Sequence, residues 1–255
     1  MIEYIFISIL GLSFGSFLNV LIYRLPLNKS IIKPPSYCPK CKSYIKTYHN
    51  IPIISYILLK RKCHICKTKI SLVYPLVEII TMLITLLTFM KVGISIEFIN
   101  LLIIFYLLIV LSFIDLKFKA VPDYLLVIVF FSTLFITKNT FLISLKNGLL
   151  FAGGFIILDF LLTFYIQNIK YKLTKNQDLK DQKALGEGDI PIVFIIGFML
   201  GIQDGLNAIF LSAVLAILPS LYNMIFKKDI ETAFIPYLSL GFFIIFISQN
   251  TKYIY

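Results

Sequence analysis

Histidine is almost missing from this chain. The 255 residues include two, His49 and His64, and both fall in the stretch that also holds every cysteine. That scarcity argues against an imidazole-based triad near a membrane, and no activated Ser or Cys nucleophile is visible. Charge is sparse too, at 15% of residues. Apolar and polar residues do not alternate at period two along the chain, which argues against a membrane β-barrel. The first apolar segment, Ile2–Leu25, has no basic n-region and no small-residue cleavage site at its end. It is read as a retained span rather than a removable signal peptide.

What is abundant is apolar sequence. Hydrophobic residues make up 59% of the chain and the mean hydropathy is +0.91, against roughly 45–50% apolar in a soluble domain. The excess lies in runs such as Phe98–Ile114 and Pro191–Ile202, and runs approaching ~20 residues are read as membrane spans. The expected fold is an all-α membrane protein with about eight transmembrane helices, at about 2–23, 75–90, 97–114, 123–137, 141–167, 190–202, 205–226 and 232–248. Alternating the loops between these spans places 20 of the 24 Lys and Arg on one side. The excess marks that side, with residues 24–74, 115–122, 168–189 and 227–231, as cytoplasmic. The net charge of +11 is thereby explained by orientation, and no nucleic-acid partner is expected.

One connection is long enough to fold by itself. The expected organisation is a first transmembrane helix over 1–25, a cytoplasmic tetra-cysteine domain over 26–74 inserted between helices 1 and 2, and a membrane core over 75–255. The second long loop, 167–188, is polar, lysine-rich and poor in anything to bury. The cysteines form Cys38-Pro39-Lys40-Cys41 and Cys63-His64-Ile65-Cys66, two C-x2-C pairs 21 residues apart. Paired knuckles of this spacing suit a structural zinc ion held by four thiolates, and so small a domain needs such a staple. A closed four-cysteine site leaves no open position for catalysis.

The chemistry is expected at two aspartates. Asp115 ends one apolar stretch, and Asp189 stands in Gly186-Glu187-Gly188-Asp189 just before another. Two carboxylates at one depth on one face, one neutral and one ionised, are what acid/base cleavage of a peptide bond requires. Gly186 and Gly188 let backbone approach closely, and Pro191 fits a first helical turn. Asp123 follows Pro122 at the start of the fourth span, where it caps the helix or assists the site. Asp159 falls inside the fifth span and gets no role. Gly11-x-x-x-Gly15 in the first span allows close helix packing, and Asn19 needs a buried partner.

These stretches resemble the prepilin peptidases, the type IV leader peptidase family of bacterial membranes. The resemblance is carried by residues Phe14 to Pro26, both cysteine pairs, Asn50-Ile51-Pro52 with Ser55-Tyr56, Tyr74-Pro75-Leu76-Val77-Glu78, Asp115 with Pro122-Asp123, and Gly186-Glu187-Gly188-Asp189. It runs through nearly the whole chain in order. It implies eight membrane helices with a zinc-binding insertion and a location in the bacterial inner membrane. It implies cleavage of the short basic leader from type IV prepilins or pseudopilins at the cytoplasmic face, with Asp115 and Asp189 as catalytic residues. Many members also methylate the new N-terminal amine using S-adenosylmethionine, an activity the resemblance places with the cysteine domain and its neighbouring motifs. Two positions depart from the family pattern: Pro191 stands where a lysine is usual, and Val73 where an arginine is frequent.

Three other readings stay open on the sequence. One is a peptidase without methyltransferase activity. The others are non-enzymatic: a transporter, which would carry ionisable residues near the midplane and repeated halves, or a zinc-stabilised scaffold. The particular pilus, secretion or uptake system served is not written in the chain.

Overall fold

Every regular element among the described residues is helical, as the long apolar runs require. The computed structural model describes residues 1–136, 140–174, 186–227 and 232–249. The lysine-rich part of the loop expected over 167–188 lies largely outside them. In chain order the helices are α1 (Ile2–Arg24), α2 (Ile54–Leu58), α3 (Val73–Val92), α4 (Ile96–Phe118), α5 (Asp123–Thr133) and α6 (Phe141–Phe164). Then come α7 (Tyr171–Thr174), α8 (Asp189–Tyr222) and α9 (Ile235–Ser248). A π-helical stretch, Tyr165–Lys170, joins α6 to α7 without a break.

Among the described residues five segments are long and apolar enough to cross a membrane: Ile2–Leu27, Val73–Val92, Ile96–Phe118, Phe141–Lys170 and Asp189–Phe226. Two apolar helices are shorter, Asp123–Thr133 and Ile235–Ser248. The sequence expectation of eight separate spans differs from this in two places. The fourth span was placed over 123–137, but its helix stops at Thr133. The expected sixth and seventh spans form one element, α8, broken inside by Gly201 at φ 81°, ψ −170°. An L-side chain avoids that backbone conformation, so glycine is what permits the break.

The chain divides into two compact units, Met1–Pro122 and Asp123–Tyr255. In the first, α1 lies along α3. A Cβ on Gly15 would come within 2.6 Å of Glu78 Cα, and one on Gly11 within 2.7 Å of Met82 Cα. The spacing of four residues thus presents one bare helix stripe to α3, the close approach small residues allow in membranes. Asn19 finds its partners there: its Nδ2 donates to Tyr74 O at 3.0 Å and to Gly15 O at 3.2 Å. Tyr106 of α4 shares a 2.7 Å hydrogen bond with Thr85 of α3. α4 begins at Ser95, whose hydroxyl accepts the Phe98 N–H at 3.0 Å, a side-chain N-cap. It ends at Lys119 in the left-handed region, φ 53°.

In the second unit, α8 packs between α6 and α9. Gly148 of α6 receives Phe194 of α8, and Phe151 of α6 fills the space over Gly197 and Gly205. The first half of α8, from Ile192 to Leu200, is buried throughout. The second half buries one face only, through residues such as Ala208 and Ser212.

Candidate functional site

Asp115 and Asp189 are both buried, 8% and 4% exposed, although each is charged at neutral pH in water and stands at a helix end. Asp115 occupies the last turn of α4. Lys117, two residues on, holds its ammonium 5.6 Å from the Tyr23 ring centroid, and Lys29 lies over the same ring at 5.6 Å. The Asp115 end of α4 therefore lies beside the end of α1 from which the cysteine segment departs. Asp189 opens α8. Its carboxylate is held by the turn before it: the Gly186 N–H donates to Asp189 Oδ2 at 3.2 Å, and the Asp189 N–H donates to Gly186 O at 3.0 Å. A Cβ on Gly186 would stand 3.3 Å from Oδ2, so this glycine lies against the carboxylate. Gly188 is half-buried and Glu187 exposed. Asp115 belongs to the first unit and Asp189 to the second. Asp123 is the first residue of α5 and exposed, and Asp159 lies on α6, where Thr163 donates to its Oδ1 at 3.3 Å.

The four cysteines do come together. Their sulfurs all lie within 4.8 Å of one another, with Cys38 to Cys66 at 3.8 Å and Cys41 to Cys63 at 4.0 Å. A tetrahedral zinc with Zn–S near 2.3 Å spaces its sulfurs about 3.8 Å apart, so the donor set fits the ion. The two knuckles are the same structure twice, offset by 25 positions. Tyr37 bridges Tyr44 as Lys62 bridges Lys69. The Lys42 N–H donates to Cys38 O as that of Lys67 donates to Cys63 O, and both lysines sit at φ 56°. The Ser43 hydroxyl is 2.9 Å from Cys41 Sγ, and that of Thr68 is 3.1 Å from Cys66 Sγ. These hydroxyl and backbone hydrogen bonds push the Cys41 thiol down and the Cys66 thiol down to about 6, whereas burial pushes Cys38 up to about 11.

A cavity of about 400 Å³ lies between this twin-knuckle module and the adjoining ends of α1 and α3. Sequence reasoning did not foresee it, and named Glu78 only within the Tyr74–Glu78 stretch, without a role. This residue sits in α3, is 8% exposed, and accepts the Ile53 N–H on Oε2 at 2.7 Å. Ile53 is held at φ 58°, ψ −50°, a conformation that costs a β-branched residue about 1–3 kcal/mol unless its surroundings enforce it. Ser55 supports the same loop, accepting the Ile51 N–H at 3.0 Å and donating to Tyr48 O at 3.1 Å. On the α1 side, buried Arg24 donates to Ser30 O at 2.8 Å and Pro34 O at 2.7 Å. His49 and His64 also face the cavity, with ring centroids 4.8 Å apart. Desolvation, then the charges of His64 and Lys46, hold His49 below the usual imidazole range. A glutamate inside an apolar span was the available signal for this region.

Two family models match successive parts of the chain. Residues 9–92 match the family model described as the bacterial peptidase A24 N-terminal domain, and residues 102–221 match that of the type IV leader peptidase family. A protein of Neisseria gonorrhoeae named prepilin leader peptidase/N-methyltransferase is 31% identical over 96% of this chain and 90% of its own length. Proteins of the same name from Legionella pneumophila and Bacillus subtilis are 30% and 31% identical, over 93% and 82% of this chain and 88% and 79% of theirs. No solved structure matches the chain.

Proposed function

This chain belongs to the type IV leader peptidase family, and we propose that it is the aspartic endopeptidase that removes the short basic leader from type IV prepilins or pseudopilins. Asp115 and Asp189 are its catalytic pair, and cleavage takes place at the cytoplasmic face of the bacterial inner membrane. The observation that carries this reading is the burial of two carboxylates, each at an end of a membrane-length apolar helix. Acidic groups in such places are costly unless they are used.

The ionised aspartate takes a proton from a water molecule, whose oxygen attacks the scissile carbonyl carbon. The neutral aspartate gives its proton to the carbonyl oxygen. Collapse of the tetrahedral species returns a proton to the leaving amine, and the C–N bond breaks. Gly186 positions Asp189 through its N–H. A prepilin, with a basic leader followed by a long apolar helix, presents its junction at the membrane border where both aspartates are proposed to act. The twin-knuckle module, residues 26–74, holds a structural zinc through Cys38, Cys41, Cys63 and Cys66. The chain crosses the membrane eight times, once through α1 and seven times through the core, with the halves of α8 on either side of Gly201 and the short α5 and α9 counted as crossings. The chain also methylates the new N-terminal amine, with S-adenosylmethionine as methyl donor.

The test is cleavage of a prepilin-like substrate in membranes by wild type, Asp115→Asn and Asp189→Asn, at matched expression and insertion. Each variant is expected to lose roughly 10²–10⁴-fold in rate, the usual contribution of a positioned acid or base. Wild-type rates in either variant would remove that aspartate from the mechanism.

A further inference from the structure

We propose that α2 and the basic turn after it form a docking surface for anionic phospholipid, which holds the twin-knuckle module down on the bilayer spanned by α1 and α3. Composition gives the first reason. Residues 24–74 carry 11 Lys and Arg and not one Asp or Glu, so the module has no acid of its own to balance them. The second reason is an apolar face left uncovered. In α2, Ile54, Ile57 and Leu58 are 55%, 66% and 74% exposed, whereas Ser55 is buried. A short helix that turns its aliphatic side chains outward buries little within the module. A bare apolar face beside a ring of cations marks an interaction surface.

The fold sets the depth of this face. Ile53, the residue before α2, donates its N–H to Glu78 in the second turn of α3. α2 therefore starts beside the end of a membrane-length helix, where Leu76 and Ile79 of α3 are themselves exposed. That is the level of the headgroups. α2 then stops in a tight turn. The Lys60 N–H donates to Ile57 O at 2.9 Å and the Arg61 N–H to Tyr56 O at 3.0 Å, with Lys60 and Arg61 in the left-handed region at φ 50° and 62°. The turn keeps these cations against the helix, and Tyr56, Ile57, Lys60 and Arg61 line one open notch. Lys62 bridges Lys69, and the Ile70 N–H donates to Arg61 O at 2.7 Å, which brings a fourth cation alongside. Four cations thus gather round three bare aliphatic side chains. Aliphatic groups entering the acyl boundary, with Lys and Arg at the phosphates, are what an interfacial segment needs. A zwitterionic lipid pairs its phosphate with its own ammonium, so the unbalanced cations favour an anionic lipid. An acidic protein would meet the charge but not the depth.

The chain has no tryptophan, so a single introduced indole reports its own surroundings. Leu58→Trp and, separately, Ile57→Trp are made in the full chain. Both positions are exposed, so the fold should tolerate them. Each variant is placed in nanodiscs of equal parts phosphatidylcholine and phosphatidylglycerol, with brominated acyl chains on one lipid or on the other. Leu83→Trp, on an exposed position of α3, is the reference inside the bilayer. Both α2 variants are expected to be quenched, about twofold more by brominated phosphatidylglycerol than by brominated phosphatidylcholine, with the preference shrinking at high salt. Adding Lys60→Gln, Arg61→Gln, Lys62→Gln and Lys69→Gln together is expected to abolish the preference. If Leu83→Trp is quenched and neither α2 variant is, the face lies in water or against a protein, and the proposal is overturned. Equal quenching by the two lipids would overturn the assignment to anionic phospholipid.

Discussion

A single hydroxyl decides how each knuckle's second cysteine meets a metal. Thr68 stands 3.1 Å from Cys66 Sγ and, with its own backbone N–H, draws that thiol down to about 6. A lowered pKa means thiolate persists from ordinary pH down to that value and is lost below it. Cys38 moves the other way, up to about 11 by burial, so near neutrality it carries a proton that an incoming metal must displace. Metal binding therefore releases protons, and affinity falls as pH falls. In metal-free protein, alkylation of Cys66 should titrate near 6. Thr68→Val should move that midpoint upward by removing the hydroxyl, and an unchanged midpoint would refute the role given to it. Chelation should loosen the module and with it the cavity it roofs. That the four cysteines gather was legible in the sequence because C-x2-C spacing is a local signal. The hydroxyls were not, because Ser43 and Thr68 look like any loop residue until the turn brings them over sulfur.

At the scale of the helix, glycines decide where elements meet and where they break. Gly201 breaks α8 at φ 81°. Gly201→Ala should destabilise the protein by about 1–2 kcal/mol, the cost of a side chain in a left-handed backbone, seen as a lower midpoint in a denaturation titration in detergent. A variant as stable as wild type would mean that the break relaxes into ordinary helix. Gly15→Val should be worse, since a Cβ there would come within 2.6 Å of Glu78 Cα, which is backbone. Long apolar runs made the helices readable, and small residues spaced by four made the α1 packing face readable. The boundary expected at 203–204 falls two to three residues after the actual break at Gly201, because one glycine among several in an apolar run is a weak signal. The end of α5 at Thr133 was hidden by the apolar residues that continue past it. Glu78 was visible but unassigned, since its partner is a backbone N–H 25 residues earlier, and the cavity is built from stretches 16–78 that no local pattern joins.

For the whole molecule, the charge distribution and the helix lengths make separable statements. Lys and Arg crowd the loops assigned to the cytoplasm, and this bias is the basis of the proposed orientation. Among the described residues five segments have membrane length outright, and the further crossings proposed depend on α5, α9 and the two halves of α8. Parity distinguishes the two counts. With Ile94 outside and Lys29 inside, eight crossings bring the chain back outside at Ser248, whereas five leave it in the cytoplasm. Single cysteines at exposed positions, Lys29→Cys, Ile94→Cys and Ser248→Cys, can be probed in intact cells with a membrane-impermeant maleimide, the zinc-bound thiols giving the background. Positions 94 and 248 should react at once and position 29 only after permeabilisation. Reaction at 29 in intact cells would invert the topology and put the twin-knuckle module outside. Failure at 248 alone would keep the orientation and remove an odd number of crossings from the second unit. The proposed catalysis depends on this result. The helix end that carries Asp115 lies by Tyr23 through Lys117, whereas Asp189 is tied to that side only through the alternation of the spans between them. An odd number of crossings between Asp115 and Asp189 would put the two carboxylates on opposite faces, and the shared-proton mechanism would fall with it.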